Sequence, residues 1–376
     1  MTEALEMDTA FAPQWVSPPG DTILDLLEER GWTQQQLADR LGFSTKHVNQ
    51  LIKGKVPLSE DAAIRLQSVL GARAGFWLTR EAQYRERVAL QKTAQRNATM
   101  VPWLERFPIK ELMDQGVLVK RRLSAKTKPD LVGELLALFG VAGTKQWESR
   151  YEQQMEIAFR RSREDQADVA AISVWLRLGE REAEKFEGPR YDELRLRQAL
   201  GNIRALTHQT PQEFVPELQH LLREAGVAFV LVPALPKTHV SGVARWLSPH
   251  RPLIQLSSYG KTNDKFWFSF FHEAAHILLH SQQKNAVFLD DPDHTGRSSD
   301  KEGEANAWAR DWLIPPQHAR AMEELPRTRA AVQAFAKQVG VHPGIVVGRM
   351  QHDRLLDISW LNDLKVRVLF AQADRT

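Results

Sequence analysis

Between residues 21 and 87, hydrophobic positions recur every three or four residues, in short runs that glycine and proline interrupt. This is the spacing of the buried face of an amphipathic helix. The first run ends at Gly31, and later interruptions come at Gly42 and Pro57. The pattern therefore predicts an all-α unit of short helices over residues 21–87, with a fourth helix at residues 59–70.

Residues that cap helices mark where the second and third of these helices begin. Thr33 is followed three residues later by Gln36, which is the spacing of a capping box. Ser44 has the same capping chemistry before a third helix, which we expect to end at Ile52. Two helices joined by a short turn at Gly42 form the arrangement in which the second helix enters the major groove of DNA.

The third predicted helix, residues 44–52, has a polar outer face. Val48 and Leu51 occupy its inner face, which leaves hydroxyl, amide and basic side chains outside. Such groups hydrogen-bond to base edges and phosphates. The candidate DNA-binding residues are Thr45, Lys46, His47, Asn49, Gln50 and Lys53. The alternative is a small helical bundle used for dimerisation, which the charge of residues 21–87 does not exclude.

The segment PPGDTILDLLEERGWTQQQLADRLGFSTKHVNQLIKGKVPLSEDAAIRLQSVLG, with Phe76-Trp77-Leu78 after it, resembles the XRE-type helix-turn-helix domain. It is closely similar to the version found in HigA-like antitoxins. The resemblance implies a double-stranded DNA operator as partner, binding as a homodimer, and a role in autorepression.

Three apolar runs after Gly226 predict strands rather than helices, because each is short and bounded by glycine, proline or polar residues. They cover residues 227–232, 240–246 and 253–256. A strongly apolar helix follows at about residues 265–280, and another at 301–313. This part of the chain is therefore expected to be an α+β domain with a small sheet.

These patterns predict a multidomain, mainly α protein. The predicted parts are a disordered tail at 1–20, the all-α unit at 21–87, a helical linker at 88–200, the α+β domain at 201–325 and a helical and extended C-terminal extension at 326–376.

The composition of the 376 residues narrows the possible chemistry. The chain has no cysteine, which excludes disulfides and every cysteine-based metal or nucleophile scheme and fits a reducing cytosol. The net charge of +3 permits contact with nucleic acid without arguing for it. The N-terminus has no apolar signal-peptide region, and no run of about 18 apolar residues is present. We expect a cytoplasmic protein that does not associate with membranes.

The predicted apolar helix carries His272-Glu273-Ala274-Ala275-His276. Histidines four residues apart lie on one face of a helix, about 6 Å apart, and can share one zinc ion. Glu273 would stand beside the metal as the general base. Two core histidines are the alternative, but among Phe270, Phe271 and Ile277 they would be buried polar groups in need of partners.

A zinc site of this kind needs a third protein ligand. Leu279 and Gln282 exclude the extended motif that places a third histidine on the same segment. Glu302 and Glu304, on the next helix, are the candidates. We favour Glu302 because its helical face is small and mostly apolar, and Asn306, one turn later, could accept a hydrogen bond from a ligating histidine.

HEAAHILLH, followed by the pattern Glu302-x-x-Ala305-Asn306 and a Leu-Ile-Pro ending, resembles the ImmA/IrrE family of metallopeptidase domains. The resemblance implies a zincin-like fold, Zn²⁺ as cofactor, His272, His276 and Glu302 as metal ligands and Glu273 as general base. That family is associated with the cleavage of helix-turn-helix repressors.

The sequence leaves three features of the predicted peptidase domain and the C-terminal segment undecided. The group that stabilises the oxyanion is one of four candidates, Tyr259, His239, His280 and His294. The predicted strand at 253–256 could be a sheet edge on which an extended substrate lies. Residues 334–350 partly repeat the spacing of the helix-turn-helix segment, and we interpret them as a packing element because their second half is apolar.

Two functions of different classes fit these patterns. The leading hypothesis is a DNA-binding transcription regulator with a zinc-dependent endopeptidase domain that hydrolyses a regulatory protein of repressor or antitoxin type. The alternative is a HigA-like antitoxin and autorepressor, whose zincin domain is a non-catalytic sensor or a scaffold for a partner such as a cognate toxin. A purely structural dimer is a third, weaker hypothesis.

Overall fold

The computed structural model divides into two compact units. Unit 1 is Met1–Val101 with Leu123–Asp130, and unit 2 is Pro102–Arg122 with Leu131–Thr376. The structure describes residues 17–152, 169–235, 238, 240–257, 262–280, 288–290 and 300–368, with backbone alone at 288–290. The predicted tail therefore lies outside the described residues except for its last four, where Pro19 already begins a helix.

Unit 1 is all-α, as its hydrophobic periodicity predicts. Its helices are α1 (Pro19–Arg30), α2 (Gln34–Leu41), α3 (Thr45–Ile52), α4 (Glu60–Leu70) and α5 (Ala74–Thr99). The predicted capping box is confirmed, since the Thr33 hydroxyl accepts from the Gln36 amide at 3.2 Å and the Gln36 side chain accepts from the Thr33 amide at 2.9 Å. The Ser44 hydroxyl caps α3 by accepting from the backbone of His47 at 3.2 Å.

The turn between α2 and α3 depends on Gly42. Its φ of +69° lies in the left-handed region, which glycine adopts without steric cost. The turn brings the inner faces of the two helices together, so that Leu37, Ala38 and Val48 join one core with Leu66 and Trp77. This core holds α3 in a fixed orientation and leaves its polar face outside.

Unit 2 combines helices with a small sheet. Its helices are α6 (Ile109–Asp114), α7 (Lys128–Phe139), which begins at the end of unit 1, α8 (Thr144–Trp147), α9 (Val169–Glu184), α10 (Glu193–Ala205), α11 (Pro211–Glu224), α12 (Asn263–Leu279), α13 (Asp300–Leu313), α14 (Ala319–Glu323), α15 (Arg329–Val339) and α16 (Pro343–His352). Short 3₁₀ turns lie at Val101–Arg106, Leu206–His208, Pro316–His318 and Asn362–Leu364, and a π turn at Glu148–Glu152.

The strands are β1 (Ala228–Val232), β2 (Gly242–Ser248), β3 (Arg251–Ser257) and β4 (Phe288–Asp290). Their order is β1-β3-β2-β4, with β1 parallel to β3 and the other neighbours antiparallel. The expectation that residues 253–256 form a sheet edge is therefore wrong. Because β1 pairs with β3 rather than with its neighbour in sequence, β3 is internal, and both sides of its backbone are hydrogen-bonded within the sheet.

The two faces of the sheet are covered by different helices. Ile254 and Leu256 of β3 lie in the core with Phe270 and Phe271 of α12. The alternate residue, Gln255, points to the opposite face and donates to the carbonyl of Trp175 in α9 at 2.7 Å. The sheet is thus enclosed between α12 and α9.

Helix α9 lies within the predicted linker, residues 88–200, yet it is bound closely to the sheet. The Trp175 indole donates to the carbonyl of Val232 at 3.2 Å, and Arg245 of β2 forms a buried ion pair with Glu180 at 2.8 Å. These contacts join residues far apart in sequence and place α9 in unit 2 with the sheet, while the predicted domain boundaries stay a prediction.

The C-terminal helices contribute to the same core. Val332 and Phe335 of α15 and Ile345, Val346 and Val347 of α16 are buried in it. The apolar second half of segment 334–350 thus lies inside unit 2. None of the helices that the structure describes has both the length and the apolar character needed to cross a bilayer.

Candidate metal centre

Helix α12 is anchored by aromatic residues that surround its two histidines. Phe266, Trp267, Phe270 and Phe271 are all fully buried in the core of unit 2. This packing fixes the helix along its length, and the four-residue spacing then places both histidines on one side of it. Side-chain positions on such a helix vary little, which suits a site that needs fixed geometry.

His272, His276 and Glu302 meet at one point. The Nε2 atoms of the two histidines are 3.0 Å apart. Glu302 Oε2 lies 3.1 Å from Nε2 of His272, and Oε1 lies 3.5 Å from Nε2 of His276. One ligand atom from each residue falls within 4.8 Å of the other two, which gives a compact set of two nitrogens and one oxygen.

Burial differs across this group. Both histidines are almost fully buried, whereas the side chain of Glu302 keeps 28% of its exposure. Glu302 is therefore the least buried of the three residues.

The protonation states follow from this environment. Burial lowers the pKa of His276 to about 4, against the opposing effect of the nearby Glu302. For Glu302, burial raises the pKa, but hydrogen bonds with His272 and His276 outweigh it and leave the pKa below its usual value. At neutral pH the site thus holds a neutral imidazole at His276 and an ionised carboxylate, which are the forms that bind a divalent metal.

The competing carboxylate, Glu304, lies elsewhere. Its Oε2 is 3.9 Å from Nε2 of His280, and its side chain is 64% exposed. His280 Nε2 is also 3.3 Å from the carbonyl oxygen of Lys301. Of the two glutamates that the sequence offered, it is Glu302 whose carboxylate contacts His272 and His276.

Glu273 is fully buried and is not one of the three residues whose ligand atoms meet. Its carboxyl group lies beside the first residue of strand β2, Gly242. Asn306 is half-buried on α13, one turn after Glu302. Within the described part of the chain no hydrogen bond joins Asn306 to either histidine, so its supporting role stays a prediction. His239, Tyr259 and His294 lie outside the described residues.

The candidate DNA-binding residues occupy the outer face of α3. Lys46 and Lys53 are exposed, while Thr45, His47, Asn49 and Gln50 are half-buried. The His47 ring packs edge-on against Phe43, with centroids 4.9 Å apart.

Two glutamines at the start of α2 also belong to this surface, although they are not among the residues predicted from the sequence. The Asn49 side chain donates to the side-chain oxygen of Gln34 at 3.1 Å. The Thr45 hydroxyl donates to the side-chain oxygen of Gln35. Their position in the first turn of α2, directly after the capping residue Thr33, was the signal available in the sequence.

Comparison with known families assigns both regions. Residues 23–77 match the family described as helix-turn-helix, which covers α1 to the beginning of α5. Residues 229–351 match the IrrE N-terminal-like domain, from β1 to α16, and so include the sheet, both helices of the candidate metal centre and the helices α15 and α16. No curated protein matches the chain. The chain therefore carries, in this order, an XRE-type helix-turn-helix domain and an IrrE N-terminal-like domain of the ImmA/IrrE type.

Proposed function

We propose that this protein is a DNA-binding transcription regulator whose IrrE-like domain is a zinc-dependent endopeptidase acting on a regulatory protein. The observation that carries the proposal is the group formed by His272, His276 and Glu302, with Glu273 between the two histidines on α12. The match to a peptidase family supports the same reaction class.

The ligand set fits a zinc ion. Two imidazoles and one carboxylate are the protein ligands of many catalytic zinc sites, which keep one position open for water or substrate. His272, His276 and Glu302 would hold the ion. A zinc ion bound there would supply Lewis-acid polarisation of a carbonyl group and lower the pKa of a water molecule.

Glu273 would move the proton in peptide hydrolysis. Its carboxylate accepts the proton of the attacking water as the water oxygen bonds to the scissile carbonyl carbon. It then delivers that proton to the amine nitrogen as the carbon–nitrogen bond breaks. Fixed within α12, which is packed on both the sheet and α13, this carboxylate can serve both steps without a change in backbone position.

The N-terminal domain is proposed to bind operator DNA, which links the proposed peptidase activity to gene regulation. We infer that α3 binds the major groove of an operator, with Lys46 and Lys53 at phosphates and Asn49 and Gln50 at base edges. A homodimer on a two-fold operator would double this contact. The proposed substrate is a regulatory protein of repressor or antitoxin type, because the chain couples its peptidase-like domain to a DNA-binding domain.

The substitution Glu273→Gln tests the proposed chemistry, because it keeps the size of the side chain and removes its basicity. The zinc-loaded protein is incubated with a proteome-derived peptide library and with purified helix-turn-helix proteins, and new termini are mapped by mass spectrometry. We expect cleavage by the native chain and a loss of about 10²–10⁴-fold in the variant, with equal zinc content. Glu217→Gln, on the exposed side of α11, is the matched control and should cleave like the native chain. Equal cleavage by the Glu273 variant would contradict the assigned role.

One observation favours the second candidate function, a HigA-like antitoxin and autorepressor with a non-catalytic domain that binds a ligand or a toxin. The side chain of Glu273 is fully enclosed, with 0% exposure. The same experiment separates the two functions. If the zinc-loaded native chain cleaves none of these substrates while Glu273→Gln represses its operator normally, the scaffold function is favoured.

A further inference from the structure

Gly242, the first residue of β2, lies against the carboxyl group of Glu273. A Cβ atom built on Gly242 would be 2.7 Å from Glu273 Oε1 and 3.0 Å from its Cγ. It would also be 2.7 Å from Cδ2 of Leu256. The φ of Gly242 is outside the left-handed region, so its backbone conformation does not require glycine. What this position requires is space.

The backbones of Gly242 and Glu273 cannot separate easily to relieve such a contact. Gly242 is held on both sides of its strand, opposite Leu256 in β3 and Asp290 in β4. Glu273 is followed by Ala274 and Ala275, which are both fully buried in the packing of α12. A side chain at position 242 would therefore press on the Glu273 carboxyl group and on Leu256 Cδ2, and these side chains would have to shift.

We propose that Gly242 is a positioning residue: its missing side chain determines where the Glu273 carboxyl group lies. The consequence for proton transfer rests on the proposed peptidase function. The steric coupling between the two residues does not, since the contact between them involves neither a metal ligand nor a substrate.

A double-substitution cycle on the full chain, freed of metal, tests the coupling without an activity assay. Gly242→Ala should lower the unfolding midpoint of unit 2 by about 3–10 °C in the native background. In a Glu273→Ala background the same change should lower the midpoint by less than half as much, because the new methyl group enters the space that the carboxyl group has left and only the contact with Leu256 Cδ2 remains. Gly201→Ala on α10 is the matched control, since no atom beyond the neighbouring backbone of its own helix lies within 4 Å of a Cβ there, and its midpoint should not fall.

A third background distinguishes the contact with Glu273 from the contact with Leu256. Leu256→Val removes Cδ2 and leaves the Glu273 contact in place. We expect Gly242→Ala to remain destabilising in that background. Equal destabilisation in the native and Glu273→Ala backgrounds, or relief in the Leu256→Val background alone, would overturn the proposal.

The catalytic consequence has its own readout. With zinc bound, Gly242→Ala should lower kcat by about 10–100-fold at an unchanged KM and an unchanged zinc content, because it shifts the proton acceptor without touching ligands or substrate. If the native chain cleaves nothing, the proposed peptidase function fails, while the unfolding cycle still decides whether Gly242 positions Glu273. A variant with normal kcat despite a confirmed coupling would restrict the role of Gly242 to packing and contradict the proposal.

Discussion

At the scale of single residues, the candidate centre depends on small differences in position. His272 and His276 share a side because the helical repeat brings residues four apart together. Glu302 and Glu304 are only two positions apart, yet two positions turn a helix by about 200° and send the side chains in different directions. Glu302 reaches both histidines, whereas Glu304 faces His280 from an exposed position.

This difference predicts how two matched substitutions affect metal binding. Glu302→Gln should weaken zinc binding by more than about 100-fold, because it replaces an anionic ligand with a neutral one. Even the loss of a residue that only hydrogen-bonds to a metal ligand lowers metal affinity by about 10–100-fold. Glu304→Gln should bind zinc like the native chain. Competition with a chromophoric chelator measures both affinities. Similar losses in the two variants would show that Glu302 is not the ligand.

At the scale of secondary-structure elements, the proposed DNA-binding surface is formed by two helices. The Ser44 cap and the buried Val48 orient α3 so that its polar face is outside. The start of α2 then adds Gln34, whose side chain accepts from Asn49. The side chain that we propose to read bases, Asn49, is thus held by a neighbouring helix, which reduces the conformational entropy it loses on binding.

We predict that Lys46→Ala and Asn49→Ala weaken DNA binding in different ways. Lys46→Ala should weaken binding to all sequences and lower the salt slope by about 1, because it removes one phosphate contact. Asn49→Ala should cost about 1–3 kcal/mol on the preferred sequence and relax selectivity at one base pair.

Fluorescence anisotropy on duplexes selected from a random library, over a range of salt concentrations, measures both effects. Lys337→Ala, exposed on α15 of unit 2, is the control for the loss of a positive charge. Unchanged affinity and selectivity in both α3 variants would exclude this helix as the reader.

At the scale of the whole molecule, the two proposed functions belong to units with separate cores. The core of unit 1 contains residues of α1 to α5, and the large core of unit 2 contains the sheet, α12, α13 and α16. A ligand that binds one folded unit stabilises that unit by mass action.

Metal removal should therefore affect the two units unequally. At zinc concentrations of about 100 times Kd, binding adds about 2.7 kcal/mol to the stability of unit 2, so a chelator should lower its midpoint by about 5–10 °C. Calorimetry of the full chain should show the transition of unit 1 unchanged, and DNA affinity should stay the same. The Glu302→Gln variant should be insensitive to the chelator. Equal shifts of both transitions would contradict a metal site confined to unit 2.

Much of this protein could be predicted from local sequence. Thr33, Gln36 and Ser44 predicted where α2 and α3 begin, because a cap involves residues only three positions apart. The spacing of His272 and His276 predicted a shared helical face for the same reason. Glu302 was favoured over Glu304 from the character of its helical face, which is also a local property.

The sequence by itself thus determined the helices of unit 1, the α+β character of unit 2 and the residues from which the candidate centre is built. The tertiary structure alone decided the strand order, the attachment of α9 through Trp175 and Glu180, and the close approach of Gly242 to Glu273. The physical reason is the range of the interactions. Caps and helical faces involve residues within one or two turns, whereas sheet order and close packing depend on segments that meet only when the whole core has formed.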